Sequence, residues 1–243
     1  MELLVVGAGE MGRWFAGQSG AETVAFADRD AVTAREAAAT LESARAVPLD
    51  IGETFDVVCV AVPISAVSTA IEAHADSATE AVVDVSGEMR DAVAAMESHA
   101  EGRECASFHP LFSASNAPGN VPSVIVRDGP TVDRLRSALR SAGNEVFETT
   151  VAEHDRAMET VQAKAHTAVL AYALAAEDLD PRFHTAVSEP LSEIVAGLTG
   201  NTPEVYAEIQ ARFDGAESVA DAAVRLADAD PETFVELYEE AGE

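Results

Sequence analysis

Residues 1–12 read MELLVVGAGEMG, a short apolar run followed by three glycines in the pattern Gly-x-Gly-x-x-Gly. The run Glu2–Val6 predicts a buried strand, and the residues after Gly9 predict a helix. Gly7 allows a tight turn, Gly9 lets a pyrophosphate approach the backbone, and Gly12 lets the helix pack closely against the sheet. The stretch therefore predicts the opening of a dinucleotide-binding domain, with the phosphates at the helix N-terminus.

Further residues extend this predicted cofactor site. Glu10 and Met11 lie inside the glycine turn itself. Asp28 ends the second predicted strand, 21 positions after Gly7, where a carboxylate accepts hydrogen bonds from the adenosine ribose and repels a 2′-phosphate. Arg29 follows it and weakens that discrimination, so the sequence favours NAD over NADP. A glycine turn that binds no nucleotide is the alternative.

The chain alternates apolar strands with amphipathic helices up to about residue 150 and is helical beyond it. This order predicts an α/β fold, with an N-terminal Rossmann-type, doubly wound, mostly parallel sheet in 1–150 and a smaller all-helical domain in 151–243. Val62 and Pro63 end the third strand, where they either line the nicotinamide side of the cofactor or only terminate the strand. The predicted strands are Glu2–Val6, Thr23–Ala27, Val57–Val62, Ala81–Val85, Glu104–Phe108, Val121–Val126 and Glu145–Glu148. The predicted helices are Gly9–Gln18, Arg29–Leu41, Ala66–Ala75, Met89–Ala100, Thr131–Ala142, Glu153–Ala176, Pro181–Leu198 (with a break at Pro190), Pro203–Arg212, Ser218–Ala227 and Pro231–Glu240.

The charge of the chain restricts its partners. The sequence holds 43 acidic and 15 basic residues, and Lys164 is the single lysine. A net charge of −28 repels nucleic acid and anionic membranes, so neither is expected as a partner. An acidic composition almost free of lysine is typical of a protein adapted to molar salt, where repulsion is screened over about 3 Å. An acidic protein of an ordinary cytoplasm is the alternative.

Several other classes of protein are not expected. No apolar run approaches the roughly 18 residues of a membrane span, and Met1 leads directly into the first strand without a signal peptide, so we expect a cytoplasmic protein. Two cysteines, Cys59 and Cys105, can form neither a disulfide framework nor a four-thiolate metal site. No metal is therefore expected.

Two histidine motifs predict chemistry. Phe108-His109-Pro110-Leu111-Phe112 places His109 at the carboxyl end of a strand, where an imidazole can transfer a proton at neutral pH, although a buried structural histidine is the alternative. In the helix that follows residue 153, α-helical spacing puts Asp155, Met158, Gln162, His166 and Val169 on one face. Gln162 and His166 interrupt an apolar seam there, which indicates either a ligand site or a polar pair between the domains.

Together these motifs resemble the prephenate/arogenate dehydrogenases of tyrosine biosynthesis. Four features match in order: the glycine turn 7–12, Asp84-Val85-Ser86, His109-Pro110-Leu111-Phe112, and His154-Asp155-Arg156 with Gln162 and His166. A looser match is 202–209, Thr-Pro-Glu-Val-Tyr-Ala-Glu-Ile. The resemblance covers roughly the first 170 residues firmly and the remainder thinly.

The resemblance implies an enzyme that oxidatively decarboxylates prephenate to 4-hydroxyphenylpyruvate with NAD⁺ as hydride acceptor. It implies that His109 takes the proton of the ring hydroxyl, that Ser86 or its neighbour Gly87 assists that histidine, and that His166 lies near the substrate and nicotinamide. The family carries an arginine for a substrate carboxylate at the position of Gly197, and Arg182 and Arg212 are the candidates to replace it. Prephenate, arogenate and an altered ligand therefore stay open as substrates.

Two other functions stay open at this point. One is an imine or β-hydroxyacid reductase of the same two-domain architecture, and the other is a non-catalytic NAD-sensing module. The reductases normally use a lysine or lack the His-Pro motif, and Lys164 lies away from the predicted site face. The large apolar helix faces in 151–243 predict a homodimer formed through that domain.

Overall fold

The computed structural model describes residues 1–177 and 180–242, and the chain divides into two units between Asp155 and Arg156. The N-terminal unit is built on a sheet of eight strands in the order β3-β2-β1-β4-β5-β6-β7-β8. The strands are β1 (Glu2–Val6), β2 (Thr23–Ala27), β3 (Ala44–Val47), β4 (Phe55–Val60), β5 (Ala78–Asp84), β6 (Glu104–Phe108), β7 (Asn120–Arg127) and β8 (Glu145–Glu148).

Six of the strands run in one direction. β1 pairs in parallel with both β2 and β4, so the strand order reverses at this point and opens a crevice beyond the carboxyl ends of the strands. β7 runs antiparallel to β6, and β8 runs parallel to β7. The loop between β6 and β7 therefore leaves and re-enters the sheet at the edge where the crevice opens.

Helices cover both faces of the sheet. They are α1 (Glu10–Gln18), α2 (Ala31–Ala38), α3 (Val67–His74), α4 (Arg90–His99) and α5 (Pro130–Ser141). The core on one face contains Phe15, Phe108 and Leu135, and the core on the other contains Ile71 and Met96. Strands buried from both sides explain why their sequences are continuously apolar rather than alternating.

The C-terminal unit is helical throughout the part that the structure describes. α6 (Val151–Met158) ends the first unit and begins the second; a π-helical segment (Glu159–Lys164) and α7 (Ala165–Ala175) follow it. The remaining helices are α8 (Ser188–Thr199), α9 (Pro203–Arg212), α10 (Ala216–Asp228) and α11 (Pro231–Glu240). None of the helices within 1–177 and 180–242 has the length and apolarity to cross a bilayer.

The predicted fold class is confirmed, with three local differences. Strand β3 was not predicted, because Ala44–Val47 is only four residues long and mostly exposed. The helix predicted from Pro181 begins at Ser188 after a short 3₁₀ turn, so Pro190 lies in its first turn rather than at a break. The π-helical segment replaces the uniform α-helix on which the predicted face of Gln162 and His166 was based.

Candidate active site

The glycine turn has the geometry that a dinucleotide requires. Gly7 has φ +98°, and a Cβ on it would lie 2.3 Å from the carbonyl oxygen of Ala61. A Cβ on Gly12 would lie 2.1 Å from the Gly7 carbonyl oxygen, so helix and turn approach closely only without one. A Cβ on Gly9, at the start of α1, would meet no atom within 4 Å, which leaves open space for a phosphate at the helix N-terminus.

Asp28 is joined to this turn. Its carboxylate accepts hydrogen bonds from Ala8 N at 2.8 Å and from Asp30 N at 2.9 Å. A carboxylate offers about four acceptor sites, so capacity for ribose hydroxyls remains. Arg13, which the sequence reading missed, donates from Nε to the Ala8 carbonyl oxygen at 2.9 Å. Ala8 is thus held at both its N–H and its carbonyl oxygen, in the two peptide groups that join it to Gly7 and Gly9.

The other predicted cofactor residues surround the same crevice. Met11 packs against the core beneath the turn, and Arg29 is exposed beside Asp28. Val62 is half-buried and Pro63 exposed in the segment after β4. Oε1 of Glu10 accepts a hydrogen bond from Ala114 N at 2.8 Å, which ties the glycine turn to the loop that follows His109.

His109 lies fully inside the protein at the end of β6 and contacts a second histidine. Its Nδ1 is 2.8 Å from Nε2 of His154, and the two rings meet edge to face. Burial and the neighbouring His154 lower the pKa of His109 to about 3, so His109 is neutral at physiological pH. A Cβ on Gly87 would lie 3.6 Å from Nε2 of His109, so Nε2 is the ring nitrogen on the Gly87 side.

The partner histidine is itself held by an ion pair. Nδ1 of His154 lies 3.2 Å from Oδ1 of Asp155, and Oδ2 of Asp155 accepts from Nε and Nη2 of Arg90 at 3.1 and 2.7 Å. Burial lowers the pKa of His154, while Asp155 and the nearby carboxylate of Glu88 raise it. The sequence motif indicated His154 and Asp155, but the partnership with Arg90, 65 positions away, is a tertiary contact.

Ser86 does not contact His109 as the resemblance implied. Its Oγ lies beside Oδ2 of Asp84 and 2.8 Å from the Glu88 carbonyl oxygen. Because the strand ends at Asp84, the chain turns at 85–88 and directs the Ser86 side chain inward, while Gly87 occupies the place next to the imidazole. A serine that assists the histidine would therefore have to stand at position 87, where this chain has a glycine.

The predicted substrate residues Gln162, His166, Arg182 and Arg212 lie in the C-terminal unit. Gln162 belongs to the π-helical segment, a geometry that is frequent at functional sites. His166 contacts the Tyr206 ring edge to face, and burial lowers its pKa. Arg182 is exposed and paired with Asp180 at 2.7 Å, and Arg212 is the exposed last residue of α9; their roles stay predictions.

Known proteins resemble the chain in sequence and in fold. Residues 15–121 match the family described as prephenate dehydrogenase, nucleotide-binding domain. A 4-amino-4-deoxyprephenate dehydrogenase of Streptomyces pristinaespiralis is 32% identical over 176 residues, which are 64% of this chain and 56% of that protein. The chain therefore spans little more than half the length of that relative.

Solved structures share the fold over the whole chain. Prephenate dehydrogenase from A. aeolicus, in complex with hydroxyphenyl propionate and NAD⁺, superposes with a TM-score of 0.71 at 14% identity and covers 100% of this chain and 96% of that one. Synechocystis arogenate dehydrogenase gives 0.59 at 18% identity, with coverage of 100% and 98%. At these identities the two structures show a common fold, and the family model matches the part of the chain that contains Asp84-Val85-Ser86 and His109-Pro110-Leu111-Phe112.

Proposed function

We propose that the chain is a prephenate dehydrogenase-type enzyme that oxidatively decarboxylates prephenate to 4-hydroxyphenylpyruvate with NAD⁺. The match of residues 15–121 and the Streptomyces relative support this proposal. The observation that carries the proposal is His109, a buried neutral imidazole at the carboxyl edge of the sheet, beyond the glycine turn. A neutral imidazole accepts a proton from a ring hydroxyl, which the oxidation of that carbon requires.

The residues of the first unit fit a dinucleotide. The open space at Gly9 and the N-terminus of α1 suit a pyrophosphate, and Asp28 suits a ribose with a free 2′-hydroxyl. When bound, oxidised nicotinamide supplies the acceptor for the hydride of the ring carbon. His109 holds the substrate by its ring hydroxyl, takes that proton as the carbonyl forms, and returns it to the oxygen once loss of CO₂ has made the ring aromatic.

A second substrate is favoured by one observation. The Streptomyces relative is named for a ring that carries an amino group in place of the hydroxyl. An amine also presents an N–H to Nε2 of His109 and can lose and regain a proton in the same order. The amino-substituted ring is therefore the second candidate, and arogenate, which differs in the side chain rather than at this position, is the third.

We also propose that the C-terminal unit forms a homodimer. α7 has the sequence AHTAVLAYALA, yet none of its residues is buried in the single chain, and Leu174 is 89% exposed. Among the residues that the structure describes, 11 large exposed hydrophobic side chains lie after residue 155 and 3 before it. A helix that is apolar all round is normally covered, and a second copy of this unit presents a matching apolar surface.

The test is NADH formation in molar KCl with prephenate, 4-amino-4-deoxyprephenate and arogenate in separate reactions, each with NAD⁺ and with NADP⁺. Turnover of prephenate with NAD⁺ and release of CO₂ is the expected result. Turnover of only 4-amino-4-deoxyprephenate or only arogenate would change the proposed substrate and leave the proposed reaction standing. Tight NAD⁺ binding without turnover of any of them would contradict the proposal and favour an imine or β-hydroxyacid reductase or an NAD-sensing module.

A further inference from the structure

Four side chains of the N-terminal unit form a continuous chain of polar contacts that ends at the proposed base. Arg90 contacts Asp155, Asp155 contacts His154, and His154 contacts His109, with distances of 2.7, 3.2 and 2.8 Å. His154 and His109 are buried, whereas the Arg90 side chain is 65% exposed. The order of these contacts fixes where the protons lie.

The assignment starts at the arginine, because a guanidinium only donates. Oδ2 of Asp155 accepts two hydrogen bonds from Arg90, and Oδ1 of the same carboxylate accepts from Nδ1 of His154. Neutral His154 then carries no proton on Nε2, so Nε2 accepts from Nδ1 of His109. Neutral His109 in turn carries its lone pair on Nε2, the nitrogen on the Gly87 side.

We propose that Asp155 and His154 are positioning residues that hold His109 in the tautomer with an unprotonated Nε2, so that this nitrogen accepts a hydrogen bond and requires a donor group on the substrate ring. The proposal rests on the function proposed above for the choice of substrate, but its proton assignment concerns the protein alone. Hydroxyl and amino substituents both meet this requirement for a donor, whereas a ring that carries an ether oxygen at this position presents no donor to Nε2.

The same geometry supplies a test in which the exchange of one atom reverses the direction of the hydrogen bonds from Asp155 to His109. In Asp155→Asn the amide oxygen has to face Arg90, because Arg90 offers only N–H groups. The amide NH₂ then faces Nδ1 of His154, which must accept, so His154 donates from Nε2 and His109 becomes protonated on Nε2. We expect kcat to fall by about 100-fold or more, since the equivalent exchange in a Ser-His-Asp triad costs about 10⁴-fold.

Removing the arginine should undo that reversal. In Arg90→Ala/Asp155→Asn the amide is free to turn its oxygen towards His154, and we expect kcat to recover at least tenfold over Asp155→Asn alone. Arg134 is the matched control, because it pairs with Glu80 at 2.9 Å elsewhere on the surface. Arg134→Ala/Asp155→Asn should show no recovery. If Asp155 had a purely structural role, the additional loss of Arg90 would lower kcat further instead of restoring it.

The tautomer can be observed without substrate. The chain has six histidines, so ¹⁵N spectra of histidine-labelled protein are simple, and His109→Asn identifies the signals of His109 by their loss. At pH 8 we expect Nε2 of His109 to be unprotonated in the wild type and protonated in Asp155→Asn. The opposite wild-type assignment, or a tautomer that does not respond to Asp155→Asn, would overturn the proposal.

The outcomes separate this proposal from the proposed function. If no prephenate-type ring is turned over, the function fails, while the spectra still decide the proton assignment. If the tautomer reverses but kcat does not fall, the positioning role is overturned although the enzyme is active. His154 faces Asp155, Glu88 and His109. Once protonated, it would donate from Nε2 to His109 and reverse that hydrogen bond in the same way, so kcat should also fall on the acid side of its pH profile.

Discussion

Replacing Asp84 by asparagine is expected to remove a large pH dependence from the stability of the N-terminal unit. Asp84 is completely buried at the end of β5. Its Oδ2 accepts from Ser86 N at 2.9 Å and lies beside Ser86 Oγ, and its Oδ1 faces Ser107 without a well-aligned hydrogen bond. Ser86 Oγ also lies 2.8 Å from the Glu88 carbonyl oxygen and has one proton to donate. When Oγ donates to that carbonyl oxygen, its contact with Oδ2 is a hydrogen bond only if Asp84 is protonated and donates to Oγ.

The magnitude follows from the pKa. Burial raises the pKa of Asp84 from 3.8 to about 7, although the Ser86 and Ser107 hydroxyls act against this rise. Between these values the folded protein binds a proton that the unfolded chain has lost, so the free energy of unfolding falls as the pH rises. At about 1.4 kcal/mol per unit over about three units, the loss between pH 4 and pH 8 is about 4 kcal/mol.

The assay is urea unfolding at several pH values, followed by the fluorescence of Trp14, the single tryptophan, which is buried in this unit. Asp84→Asn cannot ionise at this position. Its free energy of unfolding, relative to that of the wild type, should therefore rise by about 4 kcal/mol between pH 4 and pH 8, because any packing cost of the substitution is the same at both pH values. Asp76→Asn makes the same chemical change at a side chain that is 96% exposed and should gain little. Equal pH slopes for the wild type and Asp84→Asn would refute the reasoning.

The remaining predictions concern the cofactor turn, the base and the interface. Gly7→Ala should unfold at lower temperature and lose NAD⁺ binding in a calorimetric titration, because its Cβ would lie 2.3 Å from the Ala61 carbonyl oxygen; Gly9→Ala, whose Cβ meets no atom within 4 Å, should melt like the wild type but bind NAD⁺ more weakly. His109→Asn should lower kcat by about 10²-fold or more in the NADH assay and leave the Kd for NAD⁺ unchanged. Equal losses of kcat and of NAD⁺ affinity would argue against a role of His109 as base. Leu174→Glu should halve the sedimentation mass in molar KCl, and a wild type that already sediments as a monomer would contradict the dimer.

Much of the fold could be predicted because its signals are local. The glycine turn, its strand and its helix are contiguous, and the strand ends at Asp28 and His109 follow apolar runs that are readable without any tertiary information. Strand direction is different, since a buried strand has the same composition whether it runs parallel or antiparallel. The reversal at β7 therefore came only from the structure.

The candidate site was predicted in its parts but not in its connections. His109 and His154 each stand in a recognisable motif, yet 45 positions separate them, and no periodicity indicates their contact. Whether position 86 or position 87 lies next to His109 depends on a shift of one residue in the turn, which sequence matching does not resolve. Arg90 carries no local signal, because an exposed arginine at the start of a helix is ordinary.

The loop after His109 has a consequence for how such a site can change. Because β7 returns along β6, His109 N bonds the Pro122 carbonyl oxygen and Leu111 N bonds that of Asn120, both at 3.0 Å. The two ends of the loop are thus clamped together independently of its contents, and doubling the length of such a loop costs only about 0.6 kcal/mol. The segment between Leu111 and Asn120 can therefore change in sequence and length and gain new substrate contacts, while the sheet and His109 keep their positions.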